Sequence, residues 1–543
     1  VGVISDKDID SYRKFKSFLE GHPTPRFIWV EAATGSLGQG LSIGVGESLL
    51  MKSEVRSQRS EANNSPIVYV LLGDGEVAEG SVWEAIEVAS YYKLDNLVGI
   101  IDVNRLGQSG ETMLGYKVSE YKKRIEAFGW QTYVIDGHNF NEINKVFDKV
   151  SASNNKPKMI IAKTIKGKGV SFLENKEGWH GKPLPEEEYK RAIKELGKIN
   201  KEIKGEIKHP NLRVKSLELR VKKSVQRLKV PYKIGDQVAT RMVYGEALAK
   251  LGDLNLNIVA LDGETKNSTY SEIFKNKHPQ RFYEMFIAEQ NMVGVAIGMS
   301  KRGKVPFAST FAAFWTRAFD QIRMSAISQT NVKFVGSHAG ISIGEDGPSQ
   351  MGLEDFAMFR SIFGSTVLCP ADAVATWRIV EIMAKTSGLF YMRTNRPVTP
   401  VIYKSDQNFE IGGSKVLKQT KTDKVTVVSC GVTLFEALKA ADVLAKKGIN
   451  VRVVDAYSIK PIDQKTLIRC ARDTEGRLIV VEDHYFEGGL GEAVSAVLSD
   501  KKNIEIYRLA VGKMPMSGKK DDLYDYEEIS AKAIVGKVCD LLK

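Results

Sequence analysis

Cysteine is scarce. The 543 residues hold four, Cys369, Cys430, Cys470 and Cys539, and no two stand in a CxxC pair. That excludes a disulfide framework and a thiolate zinc site, and each thiol reads as a small buried hydrophobe in a reducing compartment. No apolar run reaches membrane-spanning length and no signal peptide opens the chain, so the expectation is a cytoplasmic protein with no membrane partner. A net excess of charge of one sign is almost absent outside one region. The net charge is +12, yet residues 189–233 carry 15 Lys plus Arg against 4 Glu, so +11 of it lies there. That stretch lacks an aromatic stacking set, reads as a solvated connector, and argues against a nucleic-acid partner.

The hydrophobic fraction of 43% and charged fraction of 27% are ordinary for a globular protein, and the length suffices for several domains. Apolar runs at 67–72, 97–103 and 159–162 alternate with helical patterns, which predicts a parallel α/β sheet. Residues 5–20 look helical, and Ser81 with Glu84 spells a capping box. Further strands are expected at 258–261, 332–336 and 389–393. A third group is expected at 425–430, 451–455 and 478–482, with a helix at 434–447 closed by Gly448. The fold class is therefore α/β, with three consecutive α/β domains. The first is 1–184, followed by a basic linker at 185–231; the others are 232–402 and 411–543.

Gly73-Asp74-Gly75 follows the first strand, and Asn104 follows the second. Glycines let the backbone approach a phosphate, and Asp74 offers a hard oxygen ligand. Residues just past the carboxyl ends of two parallel strands can meet in one crevice. Asp74, Asn104 and the carbonyl of Leu106 form an oxygen set suited to Mg²⁺ or Ca²⁺, completed by diphosphate oxygens and water. An isolated GDG is an ordinary turn. GDG with Asn at this spacing, each after an apolar strand, is similar to the thiamine-diphosphate motif.

The surrounding segments resemble the transketolase family, nearest to the animal type. They are TGSLGQG (34–40), LLGDGEVAEGSVWEA (71–85), NRLGQS (104–109), KGKG (166–169) and GWHGKP (178–183). The resemblance continues through ALDGETKNST (260–269), IAEQNM (287–292), STFAAFWTRAFDQIR (309–323), SHAGISIGEDGPSQM (337–351), RTNRP (393–397) and VEDHYFEGGLGEA (481–493), so it spans essentially the whole chain. It implies two thiamine-diphosphate-binding-type parallel-sheet domains, a diphosphate-binding and a pyrimidine-binding one, plus a C-terminal α/β domain. The implied activity is glycolaldehyde transfer in the pentose phosphate pathway. A two-carbon ketol unit would move from xylulose 5-phosphate or sedoheptulose 7-phosphate to ribose 5-phosphate or glyceraldehyde 3-phosphate. No side chain stabilises an acyl anion, and a thiazolium ylid does.

The resemblance also implies roles. Glu289 would hydrogen-bond N1′ of the aminopyrimidine, Phe314 would stack on that ring with Phe311 near it, and Gln350 would border it. Gly35, Leu37, Gly75, Gln108, Lys166 and His180 would line the diphosphate and thiazolium half. Arg241, Ser268, His338 and Arg393 would bind the sugar phosphate, while His22 and Asp346 would touch hydroxyls near the reacting carbons. Glu289, His22 and His180 are the expected catalytic groups. His138, His209, His278 and His484 are expected to be structural or on the surface. The cofactor would lie between the diphosphate segment of one subunit and the pyrimidine segment of another, so a homodimer is implied, with Glu79 near that junction.

The departures are specific. Family members carry a GHP and a KGH segment ahead of the position of Val1, and Glu264 stands where the family more often has Asp. Two other readings follow: a catalytically impaired transketolase-like protein acting through dimerisation, and an enzyme resembling 1-deoxyxylulose-5-phosphate synthase.

Overall fold

The computed structural model describes residues 3–57, 66–152, 154–198, 200 and 227–543. They fall into two compact units. One is Val1–Leu217 with Val293–Arg302, and the other is Glu218–Met292 with Gly303–Lys543. Most of the basic linker and His209 lie outside the described residues.

In the first unit β1 (Val68–Gly73), β2 (Leu97–Val103), β3 (Gln131–Asp136) and β4 (Lys158–Lys163) form a parallel sheet in the order β1-β2-β4-β3. The three expected strands stand within a residue of their predicted ends, and β3 is additional. Its polar residues leave it half-buried, so its apolar pattern is weak. One face of the sheet meets helix Gly40–Ser57, where a Cβ on Gly44 would lie 2.5 Å from a methyl of Val70. The same helix crosses residues 293–302 at backbone contact. A Cβ on Gly46 would sit 2.2 Å from the Val295 carbonyl oxygen, and one on Gly298 would sit 2.1 Å from that of Ile43. Only glycine permits so close a crossing. The other face is partly covered by helix Phe140–Val150, whose Val146 and Val150 cluster with Val98 and Ile160. Along edge strand β1, Tyr69 meets Phe147 and is 45% exposed, and Leu71 is 70% exposed.

Two local expectations are corrected here. Helix in 5–20 is confined to Asp6–Asp10, because Arg13 and Lys16 take φ of 60° and 69°, outside the helical region. The Ser81–Glu84 capping box does not form. The helix Gly80–Tyr91 begins two residues earlier than that cap requires, with Glu79 at its N-cap, and the Ser81 hydroxyl donates instead to the Gly38 carbonyl at 3.0 Å.

The second unit holds the other two sheets. Its strands are β5 (Gln237–Ala239), β6 (Ile258–Asp262), β7 (Phe282–Glu284), β8 (Val305–Phe311), β9 (Lys333–Ser337), β10 (Thr366–Leu368), β11 (Phe390–Arg393) and β12 (Val398–Pro400). These are followed by β13 (Lys415–Lys418), β14 (Val425–Ser429), β15 (Val451–Asp455), β16 (Ser458–Lys460), β17 (Arg477–Tyr485) and β18 (Glu505–Val511). The larger sheet runs β16-β10-β11-β9-β8-β6-β7, parallel except where β16 joins β10. The last segment thus lends a strand to the middle one, a pairing that no local pattern announces. The remaining sheet runs β13-β15-β14-β17-β18, with β13 antiparallel, and β5 pairs with β12. Helix Thr433–Lys446 ends before Gly448, which takes φ +79°. Each sheet has its own apolar core, one around Phe307, Tyr244 and Trp377, the other around Val427, Leu434 and Val453. The fold class is therefore α/β, with three successive α/β domains, each built on its own mainly parallel sheet. Cys369, Cys430 and Cys470 are buried as expected, whereas Cys539, on the last helix, Ala531–Leu541, is only half-buried at the margin of the C-terminal apolar core. Among the described residues no helix is long and apolar enough to cross a membrane.

Candidate active site

In the first unit the parallel pairing of β1 with β2 sets Gly73 beside Asp102, so Asp74 and Asn104 emerge from adjacent strand ends. Asp74 is buried; its Oδ2 accepts from the Arg105 backbone N–H at 2.7 Å and from Thr112 Oγ1 at 3.2 Å, and its Oδ1 accepts from the Gly75 N–H at 2.9 Å. Burial holds this carboxyl above its ordinary range. A nearby cation would reverse that shift. Asn104 Nδ2 donates to Asp102, and its Oδ1 accepts from the Leu106 N–H at 3.0 Å. Arg105, between them, is held at φ 63°. Strain of this kind collects at functional sites. Among the described residues no group of three or more His, Cys, Asp or Glu could hold a metal. The Asp74–Asn104–Leu106 set has one carboxylate and two neutral oxygens. It therefore fits a cation that arrives with phosphate oxygens and water.

Other expected residues gather at the same strand ends. Lys166 Nζ lies 3.2 Å from His180 Nδ1. A Cβ on Gly35 would lie 2.9 Å from His22 Cβ, so the segments carrying His22 and TGSLGQG touch. Leu37 and Gln108 are exposed. Glu76 ties the loops together, because its carboxylate accepts from the Gly38 N–H at 2.7 Å and from the Gly73 N–H at 3.1 Å. Sequence reasoning assigned Glu76 nothing, although it directly follows Gly73-Asp74-Gly75.

In the second unit Glu289 opens the helix Glu289–Lys301 and is buried, and its carboxylate is held by Arg317 Nη1 at 3.0 and 3.2 Å. Phe311, at the end of β8, stacks on Phe314 with centroids 5.1 Å apart and on His338 at 3.9 Å. Gln350 closes a short turn, its N–H donating to the Gly347 carbonyl at 3.1 Å.

Arg241, Ser268 and His338 come together. Arg241 Nη1 donates to the Ser268 carbonyl at 2.9 Å and lies 3.4 Å from His338 Nε2, while its guanidinium covers the Tyr270 ring. His338 directly follows β9 at φ 56°, a strained position, with Ser337 Oγ 3.0 Å from its Nδ1. Burial first, then Arg241 and Arg396, push its imidazole down to about 3, so it is neutral at physiological pH. Burial depresses Arg241, and Arg396 acts in the same direction. The Arg241 Nε is buried with no hydrogen-bond partner among the described residues. A donor in that state is costly unless an anion supplies the acceptor.

Arg393 is not available to a ligand. It is 2% exposed; its Nε donates to Asp355 Oδ2 at 2.8 Å, its Nη2 to Asp355 Oδ1, and its Nη1 to the Asp483 carbonyl at 2.7 Å. The expectation that it binds phosphate is corrected, because this pairing consumes its donors inside the protein. The accessible guanidinium of the same RTNRP segment is Arg396. It is 37% exposed, sits 2.9 Å from Asp346 Oδ2, and donates to the Ile343 carbonyl. Both arginines stood in the quoted motif, and the strand register that turns one inward was the missing signal. His138 accepts from the Ile165 N–H, His278 pairs with Asp253 at 3.3 Å, and His484 stacks on Phe356, all outside these clusters.

With this geometry in hand, comparison with known proteins defines the class. Residues 4–223 match the thiamine diphosphate binding domain of transketolase, 236–401 its pyrimidine binding domain, and 414–534 its C-terminal domain. Transketolase-like protein 2 of Mus musculus is 50% identical over 541 residues, covering 99% of this chain and 85% of that protein. Transketolase of Rattus norvegicus is 49% identical over 545 residues, covering 100% and 85%. The chain belongs to the transketolase family. The crystal structure of transketolase from Campylobacter jejuni aligns with TM-score 0.83 at 24% identity over 98% of this chain and 86% of that one, a likeness of fold.

Proposed function

We propose that the protein is a transketolase that moves a two-carbon ketol unit between sugar phosphates, as a homodimer dependent on thiamine diphosphate and Mg²⁺ or Ca²⁺. The observation that carries this is the pairing of Arg241 with Arg396 around a neutral His338, with the Arg241 Nε buried and unpartnered. Two guanidinium groups suit a phosphate dianion. Asp346, paired with Arg396, would accept from a sugar hydroxyl of the same substrate.

The bound cofactor would supply the carbanion-stabilising chemistry that side chains lack. Asp74, Asn104 and Leu106 would hold its metal, with Gly35, Leu37, Gly75, Gln108, Lys166 and His180 along the diphosphate. Glu289 would hold a proton at the pyrimidine nitrogen from its buried position, with Phe311, Phe314 and Gln350 bordering the ring. His22 and His180 would serve proton transfers near the reacting carbons. The domains are proposed as 1–184, 232–402 and 411–543, with a linker at 185–231, and the setting as cytoplasmic.

The test is turnover of xylulose 5-phosphate plus ribose 5-phosphate to sedoheptulose 7-phosphate plus glyceraldehyde 3-phosphate, with cofactor and Mg²⁺ added. Absence of product sinks the reading. Turnover with pyruvate as donor would move the protein to the 1-deoxyxylulose-5-phosphate synthase type.

A further inference from the structure

Arg317 has no role in the scheme above, yet it touches both surfaces assigned to the pyrimidine. Its Nη1 donates to both Glu289 oxygens, and its guanidinium carbon lies 5.4 Å from the Phe314 ring centroid. The two partners differ sharply in access to water: Glu289 is 3% exposed and Arg317 55%. The guanidinium therefore reaches in from solvent to neutralise a carboxylate that has almost no water of its own.

A guanidinium is planar, carries N–H donors and packs against aromatic faces. An aminopyrimidine bound as proposed would bring the same complement, a donor toward Glu289 and a flat face toward Phe314. We propose that Arg317 is a gating residue, a self-occupant of the pyrimidine site that the cofactor ring must displace. This rests on the function proposed above. The exchange is feasible because Glu289 trades one donor for another and is never left buried and unpaired. In the single chain Arg317 is already half in solvent and loses little there by turning outward. Gln290 Nε2 holds the Arg317 carbonyl at 3.1 Å, so the backbone stays fixed while the side chain moves. Arg317 is a positioning residue and touches no reacting atom.

The experiment measures the dissociation constant of thiamine diphosphate with Mg²⁺, by quenching of intrinsic fluorescence, for wild type, R317Q and R317K. A parallel series uses the analogue in which pyrimidine N1′ is replaced by CH. Competition lowers apparent affinity by the fraction of sites held closed, so R317Q should bind the cofactor about tenfold more tightly and R317K should stay near wild type. The gain should persist for the analogue, whose ring must displace Arg317 just as the cofactor's does, and vanish when R317Q is placed on E289Q, where no carboxylate holds the guanidinium in place. Thermal midpoints measured alongside establish that each variant is folded. Unchanged or weaker cofactor binding in R317Q, with wild-type turnover intact, overturns the gating role alone. No cofactor binding by wild type overturns the proposed function together with it.

Discussion

Arg393 and Asp355 face each other with almost no solvent between them or around them, the guanidinium set against both carboxylate oxygens. The Asp355 carboxyl itself feels opposing pulls, burial raising it and Arg393 lowering it, with the net shift downward. Removing one partner of such a pair leaves the other charged and buried. Arg393→Gln should therefore cost about 3–5 kcal/mol of stability. Arg396→Gln should leave the fold intact and raise KM for phosphorylated substrates about 10- to 100-fold, the loss of a charge-assisted contact. Chemical denaturation and steady-state kinetics separate the two. A stable Arg393→Gln protein with only a KM defect would reverse the assignment.

Glu289→Gln keeps the shape and removes the charge. Turnover should fall about 10²- to 10⁴-fold, the usual worth of a group that manages a proton in the reaction. Binding of the diphosphate with its metal should be largely retained, which calorimetry would register. Undiminished turnover contradicts the role.

His338 gives a pH signature. Its folded value, about 3, lies below the ordinary 6.5, so it contributes stability that is complete above pH 6.5 and lost as pH falls toward 3. By pH 5 the loss is about 2 kcal/mol. Buried Asp262, Asp455 and Glu482, each raised to about 7 chiefly by burial, act in the opposite sense on acidification. The comparison is therefore with H338N, since asparagine tolerates the left-handed backbone found there. Between pH 7 and 5 the melting temperature should drop more steeply in wild type than in the variant; parallel curves would discard the account.

Glu76→Ala should leave the Gly38 and Gly73 amides without their acceptor. Each lost partner costs about 1–3 kcal/mol where water cannot replace it. The expected outcome is a destabilised first unit, seen by hydrogen exchange at both loops, together with weaker cofactor binding. Protection lost at only one loop would show that the bridge does not couple them.

Much of this was legible in the chain. Strands rich in β-branched and aliphatic residues, such as β2 and β15, announced themselves to the residue. The Gly73-Asp74-Gly75 and Asn104 spacing placed two site groups at adjacent strand ends before any coordinates. Three features were not legible. β3 is too polar to stand out, and the β10–β16 pairing joins residues about ninety apart with no local signal. The inward turn of Arg393 depends on Asp355, a residue outside the motif, so the motif alone points to Arg393 as the phosphate ligand and passes over Arg396 three residues on. Ser81 shows the same limit, since its hydroxyl prefers a carbonyl from a distant loop to the cap that local pattern offered.

The outward side of β1 has a practical consequence for handling the protein. Among the described residues β1 is an edge strand, Tyr69 and Leu71 on it are 45% and 70% exposed, and an edge strand left so is a template for another chain. Colloidal behaviour should therefore be governed by this strip more than by net charge. Leu71→Lys should raise soluble yield and lower light scattering on storage at high concentration, with no change in melting temperature. Equal scattering from both proteins would locate the stickiness elsewhere.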